Sequence, residues 1–75
     1  MKTSTHRFLV VIEKAGINYS AYSPDVPGCV ATGDTREEAE ALMHEALQLH
    51  IEGLVEDGEP IPESDAFAEY MMISA

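Results

Sequence analysis

Cys29 is the strongest nucleophile in this sequence, and His6, His44 and His50 are the bases that could activate it. A thiol becomes catalytic when a base lies within hydrogen-bond reach. The positions argue against such a pair. His6 stands near the start of the chain, and His44 and His50 lie on a helix-patterned stretch. Cys29 opens a short strand-like run, where a lone cysteine acts as a small buried hydrophobe. His44 and His50 are six residues apart, not the four that place two zinc ligands on one helix face. No cysteine–histidine cluster has the spacing of a structural metal site either. Glu37, Glu38 and Glu40 could move protons or hold Mg²⁺. They fall in the first turn of the same helix, where capping and the helix dipole account for them. Gly28 and Gly33 form neither GxGxxG nor a Walker loop, and no lysine follows them. The expectation is a chain with no catalytic, cofactor-binding or metal-ligating set.

The elements around these residues read as the joints of a small fold. "RFLVVIEK", Arg7 to Lys14, is rich in β-branched and aromatic types and too short for an independent helix. Phe8, Val10 and Ile12 point to one face, and Leu9 and Val11 to the other. Both faces are apolar, as in a central strand or one covered by a second subunit. Gly16 supplies the positive φ of a hairpin turn. Ile17 to Ser23 then alternates as a half-buried strand, and Pro24 ends it. "CVATG", Cys29 to Gly33, is a third strand bounded by glycines. Asp34 or Thr35 caps the following helix, each with a glutamate three residues later. Ala39, Leu42, Met43, Ala46, Leu47, His50 and Leu54 share the apolar face of that helix. His50 there reads as a packed side chain at the edge of the core. Gly58 is placed to stop the helix in a left-handed C′ conformation, with Pro60 beyond it. "EYMMISA", Glu69 to Ala75, reads as a last short strand. The expected order is β-β-β-α-β, a two-layer α+β domain over residues 1–75 with one helix on a small, mainly antiparallel sheet.

Composition limits what such a domain can do. Fourteen acidic residues face four basic ones, a net charge of −10. That surface repels phosphate backbones and argues against direct nucleic-acid binding. It suits a basic partner, because complementary charge steers encounter. A chain of 75 residues buries little surface, and its single cysteine excludes an internal disulfide. Self-association is the remaining source of burial, so a homo-oligomer (dimer or tetramer) is expected. No stretch is long or apolar enough to span a membrane. Met1 to Thr5 is polar, and Phe8 to Ile12 lacks the features of a secretory signal. A cytoplasmic location follows as the expectation.

"FLVVIEK", "YSAYSPDVPGCVATGDTREEAEALMHEAL" and "LHIEGLVEDGEPIPE" together resemble the HicB-like antitoxin family over about Arg7 to Glu63. The signature positions are Pro24, Asp25, Pro27, Gly28 and Cys29, then Gly33 and Asp34, then Asp57, Gly58, Pro60 and Pro62. The resemblance implies a partial RNase H-like fold that works without catalysis. It also implies a partner, the HicA toxin, a small basic protein with a double-stranded-RNA-binding-like fold that cleaves mRNA. Full-length members carry a C-terminal ribbon-helix-helix or helix-turn-helix, and the residues after Glu63 are too few for either, so no operator binding by this chain is expected. Two other readings stand beside this one. The first is a stand-alone homo-oligomeric regulatory or ligand-binding module with no toxin partner. The second is a metal-dependent nuclease relic using Glu13, for which no convergent carboxylate set accompanies that residue.

Overall fold

The computed structural model describes residues 5–75. Of the polar opening Met1 to Thr5, the first four residues lie outside that range. Three strands precede one helix: β1 (Val11–Ala15), β2 (Asn18–Tyr22), β3 (Val30–Gly33) and α1 (Arg36–Glu56). The strands form one antiparallel sheet in the order β1-β2-β3. The helix covers one face of it, which gives the expected two-layer α+β arrangement.

Local chemistry sets each joint. Ala15 pairs with Asn18, leaving Gly16 and Ile17 as a two-residue turn. Gly16 has φ +67°, so the first turn position carries the left-handed conformation that the hairpin needs. At the helix start the structure selects Thr35 over Asp34 as N-cap. Its hydroxyl accepts from the Glu38 N–H at 3.0 Å. Glu38 Oε1 reaches back to accept from the Asp34 N–H at 3.1 Å, a capping box displaced outward by one residue. At the other end Gly58 takes φ +71°. Its N–H donates to the Val55 carbonyl at 3.1 Å, and the Glu59 N–H donates to Leu54 at 2.8 Å. These two bonds make a Schellman stop.

The core lies between sheet and helix. Ile12, Ala21 and Ala31 stand opposite one another across the three strands, facing Ala39 and Met43 of α1. Val26 and Cys29, from the loop between β2 and β3, complete the buried set. The helix sits close because the sheet offers it small residues. A Cβ built on Gly33 would lie 2.6 Å from the Ala39 backbone nitrogen, well inside van der Waals contact.

Three expectations need correction. Composition predicts a first strand over Arg7 to Lys14, but pairing begins only at Val11, opposite Tyr22. Beyond Tyr22 the second strand has ended, and Pro24 has no N–H to offer. The last strand, Glu69 to Ala75, is not formed, and residues 59–75 carry no regular secondary structure. A strand needs a partner edge, and this segment pairs with none among the described residues. The helical spacing predicts His50 and Leu42 on the apolar face, yet both are exposed. The packed face runs through Ala39, Met43, Ala46 and Leu47, a stripe narrow enough to leave both flanking positions in solvent.

Candidate functional site

The loop after β2 begins with a compact set of turns. Ser23 is buried, and its carbonyl accepts from the Val26 N–H at 3.3 Å. The Val26 carbonyl in turn accepts from the Cys29 N–H at 3.3 Å. Gly28, at φ +85°, makes the reversal between them possible. Pro24 and Pro27 lie exposed on the outside of the loop, while Val26 turns inwards and is fully buried. Cys29 is also buried, among Ala21, Val26, Ala39 and Met43. Its surroundings are those of a small packing residue.

Asp25 has a different role. Its carboxylate joins three parts of the chain. Oδ2 accepts from the Leu9 N–H at 2.8 Å and from the Ser64 hydroxyl at 2.6 Å, and Oδ1 accepts from the Ala66 N–H at 3.3 Å. Its own N–H is held by the Ser23 hydroxyl at 3.3 Å. The Ser64 hydroxyl is the largest influence on its acidity, followed by the Leu9 N–H. Together they hold the carboxyl below its ordinary range, because each bond favours the charged form. Sequence reasoning placed Asp25 in a family signature without seeing this junction, and it missed Ser64 and Ala66 altogether. The available signal was an acidic residue between two prolines, in a turn whose neighbours are buried.

The junction fixes where the C-terminal segment leaves the body of the protein. Beyond it, Phe67, Tyr70, Met71, Met72 and Ile73 are all exposed, Tyr70 and Met72 completely so. The Cα radius of gyration is 14.5 Å and the longest dimension 52 Å. A compact 75-residue domain would have a radius near ~11 Å. Beside β1 runs an open groove of about 700 Å³, with Phe8, Val10 and Ile12 on one wall and His44, Leu47 and Ile51 on the other. On the opposite face of the sheet, Val11, Tyr22 and Val30 align across the three strands, with Tyr22 and Val30 exposed.

The remaining signature positions lie along the same frame. Gly33 is buried against α1, Asp34 donates its N–H to the Glu38 carboxylate, and Asp57 caps the helix C-terminus. Gly58 makes the Schellman turn, Pro60 is exposed and Pro62 is half-buried. The structure therefore brings the loop 23–29 together with Leu9 and residues 64–66. It does not bring the three histidines together with Cys29, since His6, His44 and His50 are exposed and Cys29 is in the core. Among the described residues no three of His, Cys, Asp and Glu gather as a metal site, and no helix is long and apolar enough to cross a membrane. The glutamates of α1 line its solvent side: Glu37, Glu40, Glu45 and Glu52 are all exposed. What the surface offers is an acidic helix face, a groove with an apolar floor and a polar rim that includes Arg36, Glu40 and His44, and an apolar tail.

Comparison with known proteins places this frame. Residues 8–74 match the family described as HicB_like antitoxin of bacterial toxin-antitoxin system. An uncharacterised 14.9 kDa protein of Haemophilus phage HP1, from its rep-hol intergenic region, is 44% identical over 62 residues. That match covers 83% of this chain and 47% of the phage protein, so the chain spans about half the length of that relative. A UPF0150 protein of Synechocystis is 35% identical over 69 residues, covering 91% of this chain and 87% of the relative. A second UPF0150 protein, from Thermoplasma acidophilum, is 34% identical over 61 residues, with 80% and 88% covered. No solved structure matches. On the match over residues 8–74 and the likeness to the UPF0150 proteins, the chain belongs to the HicB-like antitoxin family.

Proposed function

We propose that this protein is a non-catalytic antitoxin that binds and neutralises a small, basic, HicA-like mRNA-cleaving toxin, and that it works as a homo-oligomer in the cytoplasm. The family match over residues 8–74 carries the reading. The net charge of −10 supports it, because an acidic surface steers a basic partner and competes with that partner's RNA. The exposed carboxylates of α1 are the natural face for such an encounter. The exposed apolar residues of the sheet and tail support self-association, since contiguous apolar patches mark interaction surfaces.

The test is co-expression with the adjacent short reading frame. We expect a basic product that arrests growth alone, is retained by this protein in a pull-down, and no longer cleaves mRNA when bound. A neighbour that is neither HicA-like nor retained would remove the toxin from the reading. The chain would then stand as a homo-oligomeric module of another regulatory or ligand-binding role.

A further inference from the structure

Both halves of one interface lie on the same chain without meeting. One half is the tail. Residues 67–75, "FAEYMMISA", hold a single charged side chain, Glu69, in a protein of net charge −10. Phe67, Tyr70, Met71, Met72 and Ile73 are exposed. In an extended segment Tyr70 and Met72 point to one side and Met71 and Ile73 to the other, so both faces are apolar. A strand of that pattern is suited to burial on both sides.

The other half is the outer edge of the sheet. β1 is terminal in the order β1-β2-β3, so among the described residues no strand lies on its far side. Among the described residues, no backbone hydrogen bond ties residues 5–10 to another strand. The Leu9 N–H is turned to Asp25. In an extended chain the amides of Phe8 and Val10 then face the opposite way, along the open edge. The side chains of Phe8, Val10 and Ile12 line the groove between that edge and α1.

We propose that residues 67–75 of one copy dock as an added strand along the outer edge of β1 and residues 5–10 of a second copy, closing the groove, and that the exchange is reciprocal. This rests on the homo-oligomeric part of the proposed function and names the element that performs it. A second copy is the occupant because it supplies a tail for each groove and a groove for each tail. A foreign partner would satisfy one and leave the other exposed, whereas a two-fold exchange closes. The area is sufficient: the five apolar side chains of one tail present on the order of 800 Å², the contribution of one partner to a standard interface. The near-neutral tail also lets two acidic bodies associate without placing charge on charge.

The experiment uses the full chain throughout. Isotope-labelled and unlabelled copies are refolded together, with a benzophenone amino acid in place of Met72, irradiated and analysed by mass spectrometry. We expect cross-links from position 72 to peptides containing residues 5–15, joining labelled to unlabelled chains. Light scattering should show an oligomer for the parent chain. It should show a monomer with unchanged helical circular dichroism for the double variant Met72→Asp, Ile73→Asp, since both side chains are free of the body. A parent chain that is an oligomer, with the variant equally oligomeric and the cross-links elsewhere, overturns the tail exchange and leaves self-association standing. A parent chain that is monomeric at all concentrations overturns both.

Discussion

Gly33→Ala tests a close approach of sheet and helix. The added methyl carbon would sit 2.6 Å from the Ala39 nitrogen and 3.0 Å from both the Ala39 Cα and the Glu38 carbonyl carbon. An ordinary contact is about 3.5 Å, so the first turn of α1 must move by roughly 0.9 Å. The atoms in the way are backbone, and no rotamer change relieves them. Ala39 is fully buried, and its N–H makes the 3.0 Å bond to the Thr35 carbonyl that begins the helix. Overpacking of this kind costs about 1–3 kcal/mol. Reduced freedom of the unfolded chain offsets about 0.4–1 kcal/mol of that. The expected net loss is therefore roughly 1–2 kcal/mol. A domain of this length has a total stability of roughly 4–11 kcal/mol, and the midpoint should fall by about 5–15 °C. Thermal and urea unfolding, followed by circular dichroism at one fixed protein concentration, would measure it, because association makes midpoints concentration-dependent. Gly53 is the control: it lies within α1 and a Cβ there meets nothing within 4 Å. Gly53→Ala should raise stability by about 0.5–1 kcal/mol. If Gly33→Ala is as stable as the parent, or the two glycines respond alike, the close-approach argument fails.

Asp25→Asn should release residues 64–66 and Leu9 from the junction, seen as faster hydrogen exchange at the Leu9 and Ala66 amides with the α1 amides still protected. The same anchorage depends on pH. Because folding lowers the Asp25 pKa, its contribution is complete above the ordinary aspartate value of about 4. It is lost as pH falls from there through the lowered folded value. Protection of the Ala66 amide, taken relative to its intrinsic exchange rate at each pH, should fall over that window in the parent and stay flat in Asp25→Asn; an identical fall in both would refute the assignment. Thr35→Ala removes the hydroxyl that caps α1 and should cost about 1 kcal/mol, read by urea unfolding, with Thr35→Ser retaining most of it. Met43→Ala leaves a cavity at a side chain 1% exposed. It should cost about 2–5 kcal/mol, bringing a domain of this size near its unfolding threshold.

Turn and cap chemistry was the most readable part of the sequence, because it is local. Gly16, Pro24, Gly58 and the threonine–glutamate cap each act within a few residues, and each was placed correctly or narrowed to two neighbours. Non-local effects were not readable in the same way. Arg7 to Val10 has good strand composition, but composition cannot report that β2 ends at Tyr22, opposite Val11, and offers these four residues no partner. Val26 stands between prolines in a loop, where local sequence carries no sign of depth, yet it is among the largest fully buried side chains, placed by the two turns that fold it inwards. His50 fell on the apolar face because a periodicity count gives every position on an arc equal depth. The actual depth depends on where a small three-stranded sheet stops. Asp25 showed its residue type but not its partners, since those lie 16, 39 and 41 residues away. The expected final strand has the right alternation and lacks only an edge to join.

The separations closed by Asp25 also set an order in time. The hairpin and the first turn of α1 involve neighbours and can form early, whereas the Ser64 bond must wait until β3 and the whole helix lie between its ends. Long closures are entropically disfavoured until intervening structure shortens them. We expect the junction to be among the last contacts to form in folding and the first to open. Its loss should speed the opening of the native chain and leave the rate of folding almost unchanged. A tail held to the body by two hydrogen bonds on a single carboxylate should come free without dismantling the sheet and helix.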